Sequence, residues 1–189
     1  MTRRLSEQRL RAIGRELLLA IGEDPDREGL KDTPRRWAKW WIEFINHDPG
    51  NMDRAFTVER TDQLVAVTNI RVWSLCEHHL LPFWCDIAIG YITRDVVLGL
   101  SKFARIARNA SHRLQLQERL VQQIAADVEE ASGSPDVAVV AKGEHLCMIM
   151  RGVKSEAQVT TSVMNGRFRE SAGLRTEFVG LCGLGESRR

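Results

Sequence analysis

Apolar residues along the chain fall into two periodicities. Between residues 5 and 21, Leu10, Ile13, Leu17, Leu18 and Ile21 recur at helical spacing, and Gly22 follows them. This predicts an amphipathic helix with a glycine C-cap. Glu23-Asp24-Pro25-Asp26 reads as a loop. Asp32-Thr33-Pro34 then predicts a helix start, with a capping side chain and proline in the first turn. Trp37, Trp41, Phe44 and Ile45 form the apolar stripe of that helix, and Arg35, Arg36 and Lys39 lie mostly on its other faces. The run from Asn46 to Asn51 breaks it.

From Leu64 the pattern changes. Leu64 to Trp73 is rich in β-branched residues and partly alternating, and Asp86 to Thr93 alternates again, so both predict strands. A helix is predicted from about Ser101. Another spans about Gln115 to Ala131, with Leu116, Leu120, Ile124 and Val128 on one face, and Gly133-Ser134-Pro135 ends it. Val137 to Ala141, Leu146 to Met150 and Gln158 to Met164 predict three further strands. Arg167 to about Leu181 predicts a last helix. Strands separated by paired helices indicate an α+β domain whose antiparallel sheet is covered on one face. The expected organisation is an N-terminal helical region over 1–60 and a catalytic domain over 61–189, forming one structural unit.

Composition narrows the function classes. The 189 residues carry 43% hydrophobic and 28% charged side chains, an ordinary globular balance. The formal net charge of +2 is too small to suggest a nucleic-acid partner. The N-terminal Met-Thr-Arg-Arg-Leu-Ser-Glu-Gln-Arg holds charge and no apolar core, which predicts no signal peptide. No apolar run approaches the roughly 20 residues that a membrane span needs. The expected location is cytoplasmic, where Cys76, Cys85, Cys147 and Cys182 read as core thiols, metal ligands or catalytic groups before disulfides.

The densest chemical signal is Ser74-Leu75-Cys76-Glu77-His78-His79. A third histidine, His145, stands two residues before Cys147, so three of the five histidines lie within three residues of a cysteine. Thiolate and imidazole are preferred zinc ligands. A Cys-x-x-His step can wrap one ion where the chain turns. If residues 145 and 147 lie in a strand, they face the same side. Three protein ligands with further acid/base groups make a catalytic zinc site; four would make a structural one. Taken singly, each short motif also fits an incidental placement. Cys85 and Cys182 have no histidine beside them and read as small apolar residues.

Two weaker signals accompany this one. Lys102 and Arg105 share one face at the start of a helix opened by Ser101, and Arg151 follows the His145–Cys147 segment. Such cations at a helix N-terminus suit a polyphosphate, and a solvated basic face accounts for them equally. In Gln117-Glu118, a carboxylate can accept hydrogen bonds from guanine N1–H and its exocyclic amine. The plainer alternative is an exposed helix glutamate paired with arginine.

At these residues the sequence resembles the GTP cyclohydrolase I family, from about Gly22 to Phe178. The resemblance rests on Glu23 to Leu30 with Thr33-Pro34-Arg35-Arg36, Ser74 to Pro82, Gly99 to Ile106, Gln115 to Leu120 and His145 to Gly152, five segments in the family's order. It departs from the family at Cys85, where relatives often carry glycine, and at His112. Neither is a matched functional position.

The resemblance implies the tunnelling fold with added N-terminal helices. It also implies Zn2+ on Cys76, His79 and Cys147, with His78 and His145 as catalytic histidines. Glu118 would hold the guanine ring with Gln117 beside it. Ser101, Lys102, Arg105 and Arg151 would surround the ribose and triphosphate, and Arg36 and Lys39 would reach the triphosphate from an adjacent subunit. The implied reaction opens the guanine imidazole ring of GTP at C8, releases formate and forms 7,8-dihydroneopterin triphosphate, an entry to pterin and tetrahydrofolate biosynthesis. The implied assembly is a homo-oligomer, a ring-stacked decamer with active sites between subunits. The alternatives are a cyclohydrolase that stops at the formamide and a non-catalytic zinc-stabilised nucleotide-binding module with four ligands.

Overall fold

The computed structural model describes residues 5–51, 55–57 and 61–183. The chain divides into two compact units, Met1–Asp48 and Pro49–Arg189.

The first unit holds two helices, α1 (Glu7–Ala20) and α2 (Thr33–Ile45). Ser6 caps α1 by accepting a hydrogen bond from the Arg9 amide at 3.2 Å. Gly22 takes a positive φ just past the helix end, as the sequence predicts. Asp32 occupies the N-cap position of α2 but makes no capping hydrogen bond. Its carboxylate instead pairs with Arg35 and Arg36 at 3.4 and 3.6 Å. Leu18 and Ala38 are buried, and the Trp37 and Trp41 rings meet edge to face with centroids 5.8 Å apart. Ile13, Leu17 and Ile21 were expected in the apolar stripe yet are about half exposed. Packing one helix on another within this unit covers only part of a broad stripe.

The second unit is built on a sheet of β2 (Leu64–Cys76), β3 (Pro82–Ile92), β5 (Leu114–Gln115), β6 (Val137–His145) and β7 (Val159–Met164), in the order β5-β2-β3-β6-β7. β2, β3, β6 and β7 are antiparallel neighbours, and the two-residue β5 runs parallel to the end of β2. A separate pair joins β1 (Ala55–Thr57) to β4 (Val96–Leu98). Two long helices, α3 (Leu100–Ser111) and α4 (Gln117–Ser132), lie in sequence between β3 and β6. Phe103, Ile106, Leu120, Ile124 and Val128 from these helices pack with Ile87, Ile89, Tyr91, Val139 and Ala141 in the main core.

This is the predicted α+β architecture, an antiparallel sheet with two helices on one face. The other face is covered as well. Ala88, Ile92, Ala138 and Val140 form a smaller core with Phe168 of α6 (Arg167–Glu170) and Phe178 of α7 (Ala172–Leu181). The single C-terminal helix read from sequence is therefore two, broken at Ser171, whose side chain caps α7. Phe178 sits so close to β3 that a Cβ on Gly90 would lie 2.6 Å from its ring.

Cover on both faces explains why strict alternation fades along β3, which is buried almost throughout its second half. The broken alternation of β2 has a different cause. Pairing with β3 slips between Val67 and Ile70, where Asn69 adopts φ 59°. One extra residue there moves the core-facing set from Val65 and Val67 to Ile70 and Val72.

One predicted strand is overturned. Leu146 to Met150 is not extended. Leu146–Ile149 forms a single helical turn, α5, and β6 instead runs on through His145. Five consecutive apolar residues carry no period of their own, so strand and helix turn look alike in sequence.

Candidate active site

The site begins where β2 runs out. The chain turns sharply between Cys76 and Pro82, closed by hydrogen bonds from Leu80 N to Cys76 O at 2.8 Å and from Cys76 N to Leu81 O at 2.9 Å. Leu80 takes φ 56° in this turn. The turn folds both histidines back on the cysteine: Nδ1 of His78 and Nδ1 of His79 each lie 3.9 Å from Cys76 Sγ. Register then brings in the far segment. His145 is opposite Phe83 on β3, two residues before Cys147 on α5.

Donor atoms of Cys76, His79 and Cys147 consequently lie within 4.8 Å of one another. The sequence argument that residues 145 and 147 share a strand face does not survive, because Cys147 is on a helical turn. The convergence comes from that turn following β6 directly. Cys76 is buried, Cys147 half-buried and His79 exposed.

The donor set suits a thiophilic cation. Burial and the neighbouring Cys76 thiol both push the Cys147 thiol up, with Arg151 pulling the other way. Two cysteine sulfurs with one imidazole match zinc's preferences. All four cysteines are free thiols. Burial pushes the Cys85 thiol up to about 12, so it stays protonated and takes no nucleophilic part.

A polar support, not visible in the sequence, holds the turn from behind. The Glu77 carboxylate receives a hydrogen bond from Arg119 of α4. Arg119 also donates to Gln115 Oε1 at 2.6 Å, while Gln115 Nε2 donates to Ala110 O at 3.0 Å and Gln123 Oε1 at 2.7 Å. The arginine beside Glu118 thus serves Glu77.

His145 is held both by a ring and by a hydrogen bond. Its ring stacks on Phe83 with centroids 4.5 Å apart and planes 5° from parallel. Nε2 lies 2.8 Å from Gln117 Oε1. Burial pulls its imidazole below the ordinary value, against the nearby Glu118 carboxylate. Gln117 is itself buried at 1% exposure, whereas Glu118 is exposed in the first turn of α4.

The remaining predicted residues occupy recognisable places. Ser101 is exposed in the first turn of α3; Lys102 beside it is 8% exposed. Arg105 does not extend freely, since its guanidinium donates to Asn51 O. Arg151 is exposed and its guanidinium meets His79 Nε2, which joins it to the Cys/His group. Arg36 and Lys39 are exposed on α2 in the first unit. Sequence reasoning did not single out Phe83, Gln115, Arg119 or Gly143. Nothing in local pattern marks them, because each matters only through a contact across the sheet or between helices.

Strands, paired helices and an open three-donor centre flanked by His78 and His145 define a class: an α+β protein with a mainly antiparallel sheet and a Cys/His/Cys group that could hold a metal ion. The sequence matches the family model for GTP cyclohydrolase I over residues 10–183. It is 46% identical over 163 residues to GTP cyclohydrolase 1 of Hyperthermus butylicus, covering 86% of this chain and 84% of the relative. Against GTP cyclohydrolase 1 1 of Pseudomonas syringae it is 45% identical over 175 residues, covering 89% and 93%. The corresponding protein of Pseudomonas aeruginosa is 46% identical over 175 residues, with 89% and 94% covered. The chain belongs to the GTP cyclohydrolase I family. No helix among the described residues is long and apolar enough to cross a membrane.

Proposed function

We propose that this site hydrolyses the guanine imidazole ring of GTP, releasing formate and forming 7,8-dihydroneopterin triphosphate. The protein is a hydrolase of the GTP cyclohydrolase I type, as its family membership states. The observation that carries the site assignment is the convergence of Cys76, His79 and Cys147 within 4.8 Å, beside a fixed His145.

Zn2+ is the expected cofactor; Cys76, His79 and Cys147 would hold it, and it would supply Lewis-acid activation for the attacking water. The rest of the chemistry falls to side chains. Glu118, exposed at the start of α4, accepts hydrogen bonds from guanine N1–H and the exocyclic amine. His145 exchanges a proton with the ring nitrogen next to C8 as the imidazole opens to a formamide. His78, exposed beside Cys76, serves the second hydrolysis, in which formate leaves. Two waters are consumed in these steps and one is returned when the rearranged sugar closes onto the freed amines, so no external oxidant or reductant is needed. Ser101 assists the sugar rearrangement. Lys102, Arg105 and Arg151 hold the triphosphate, and binding there orients the ring.

Arg36 and Lys39 complete the triphosphate site from a neighbouring subunit of a cytoplasmic homo-oligomer, a ring stacked into a decamer. The sheet supports a ring. Its order leaves one side of β7 without a strand partner among the described residues. β5 covers β2 only at Leu75 and Cys76, so the side from Leu64 to Ser74 is open as well. Since the run from β2 to β7 is four antiparallel strands, β7 of one copy can continue the antiparallel pattern against β2 of the next.

The test is incubation with GTP and Zn2+, with formate and pterin fluorescence measured in the same sample. Both products, both lost on chelation, are expected. Formate without pterin would reassign the protein as an enzyme that stops after ring opening. Neither product from folded, zinc-loaded protein would leave only a structural metal site.

A further inference from the structure

We infer that Gln117 is a positioning residue that fixes which nitrogen of His145 handles the proton, and that it does not touch the purine. This rests on the reading of the pocket given above and deepens it.

The amide of Gln117 can be oriented from its partners. Its Nε2 faces Ala141 O at 3.1 Å, Val159 O at 3.0 Å and Thr161 Oγ1 at 3.2 Å. Two of these are backbone carbonyls, which only accept, so the NH2 end must face them. The carbonyl end is then left for His145, 2.8 Å away at Nε2. A carbonyl cannot donate, so His145 Nε2 carries the hydrogen. In the neutral ring the lone pair is therefore on Nδ1. Nε2 is tied to Gln117, which leaves Nδ1 as the ring nitrogen that can face a reacting atom.

The surroundings leave this pair little freedom. Gln117 is 1% exposed, its NH2 group is used by the two strands and its carbonyl faces His145, so no donor of its side chain is left to read a purine. Phe83 fixes the plane of the His145 ring from one side. The amide lies against β6 at Gly143, where a Cβ would come within 3.0 Å of Gln117 Oε1 and 2.6 Å of Cys85 Sγ. Ala141 and Val159 belong to β6 and β7, so the amide bridges two strands and the start of α4. Three elements thereby converge on one imidazole. Glu118, the next residue, is exposed where its neighbour is buried, which divides the pair into one side chain for substrate and one for the histidine.

The experiment compares Gln117→Met, which keeps length and removes the acceptor, with wild type and with His145→Gln, alone and combined. Wild-type protein must first release formate from GTP; if it does not, the reading of the pocket fails, and this inference is judged by spectroscopy alone. With active wild type, Gln117→Met is expected to lower kcat by about tenfold or more while KM for GTP stays within about twofold. In the His145→Gln background the same change should add less than about twofold, because its effect runs through the missing ring. Metal content and melting temperature are measured alongside to show that the fold and the Cys/His group persist. A raised KM with unchanged kcat, or an undiminished effect without His145, would overturn the inference and leave the activity standing. If Gln117→Met does not fold, the 15N spectrum of histidine-labelled wild type decides. The His145 signals, identified by their loss in His145→Gln, should show the Nε2–H tautomer; an Nδ1–H pattern overturns the proposal.

Discussion

The Cys76–His79–Cys147 group and the His145–Gln117 pair sit at neighbouring strand ends, yet they are held in different ways. The first is made by chain turns. Cys76 and His79 come from the tight connection between β2 and β3, Cys147 from the single turn after β6, and His79 is exposed. The second is made by the sheet and helix themselves: an imidazole stacked on a β3 ring and tied to a buried amide at the start of α4. An open group built on turns lets a cation and substrate enter and draw the ligands together. An imidazole that exchanges protons with a fixed atom gains from being immobile before substrate arrives.

The comparison breaks most sharply at the metal ligands. Cys147→Ser should abolish both metal retention and formate release, with the circular dichroism spectrum of the sheet and helices retained. Full activity in protein shown by elemental analysis to be metal-free would remove the assignment. His145→Gln should keep its metal but lose about 10²- to 10⁴-fold in turnover, the usual reach of general acid–base catalysis. Equal loss of metal and activity would mean that the two groups are not separable.

Glu118→Gln comes next. It replaces an accepting carboxylate with an amide that can match only part of the guanine edge, and a hydrogen bond to a charged group contributes about 1.5–3 kcal/mol. The expected fall in kcat/KM for GTP is about 10- to 100-fold, with melting temperature unchanged; unaltered kinetics would free Glu118 from its role.

Gly143→Ala tests the rigid half through packing. The added methyl would press on Trp84 O, Cys85 Sγ and Gln117 Oε1. Overpacking of this kind costs about 1–3 kcal/mol, to be read by denaturant titration, and turnover should fall with metal content intact. The smallest effect is expected far from either half. Ser6→Ala removes the α1 cap for about 1 kcal/mol of helix stability and should leave metal affinity and the kinetics of formate release unchanged.

The open half was the legible half. Residue type and the Cys-x-x-His step marked the two segments that carry Cys76, His79 and Cys147, and the resemblance to the family picked these three out from the histidines beside them. The rigid half was legible only in its histidine. Phe83 is an ordinary strand residue in sequence, and it becomes the platform for His145 only through a register of β3 and β6 that pairs the two. Gln117 and Arg119 look like surface positions of an amphipathic helix, while in the fold one is buried and the other reaches Glu77.

The chain's periodicities were enough to determine an α+β unit with paired helices between its strands, and its Cys/His spacing marked the two segments that the fold brings together. Both are local: hydrophobic period reports which face of an element is buried, and donor type reports what it can ligate. Tertiary structure alone decided the helical turn at Leu146–Ile149, the bulge at Asn69, the second covered face of the sheet and the partner of His145. These depend on which strands and helices become neighbours, and contacts between residues 28 apart, as His145 and Gln117 are, leave no period in the sequence to read.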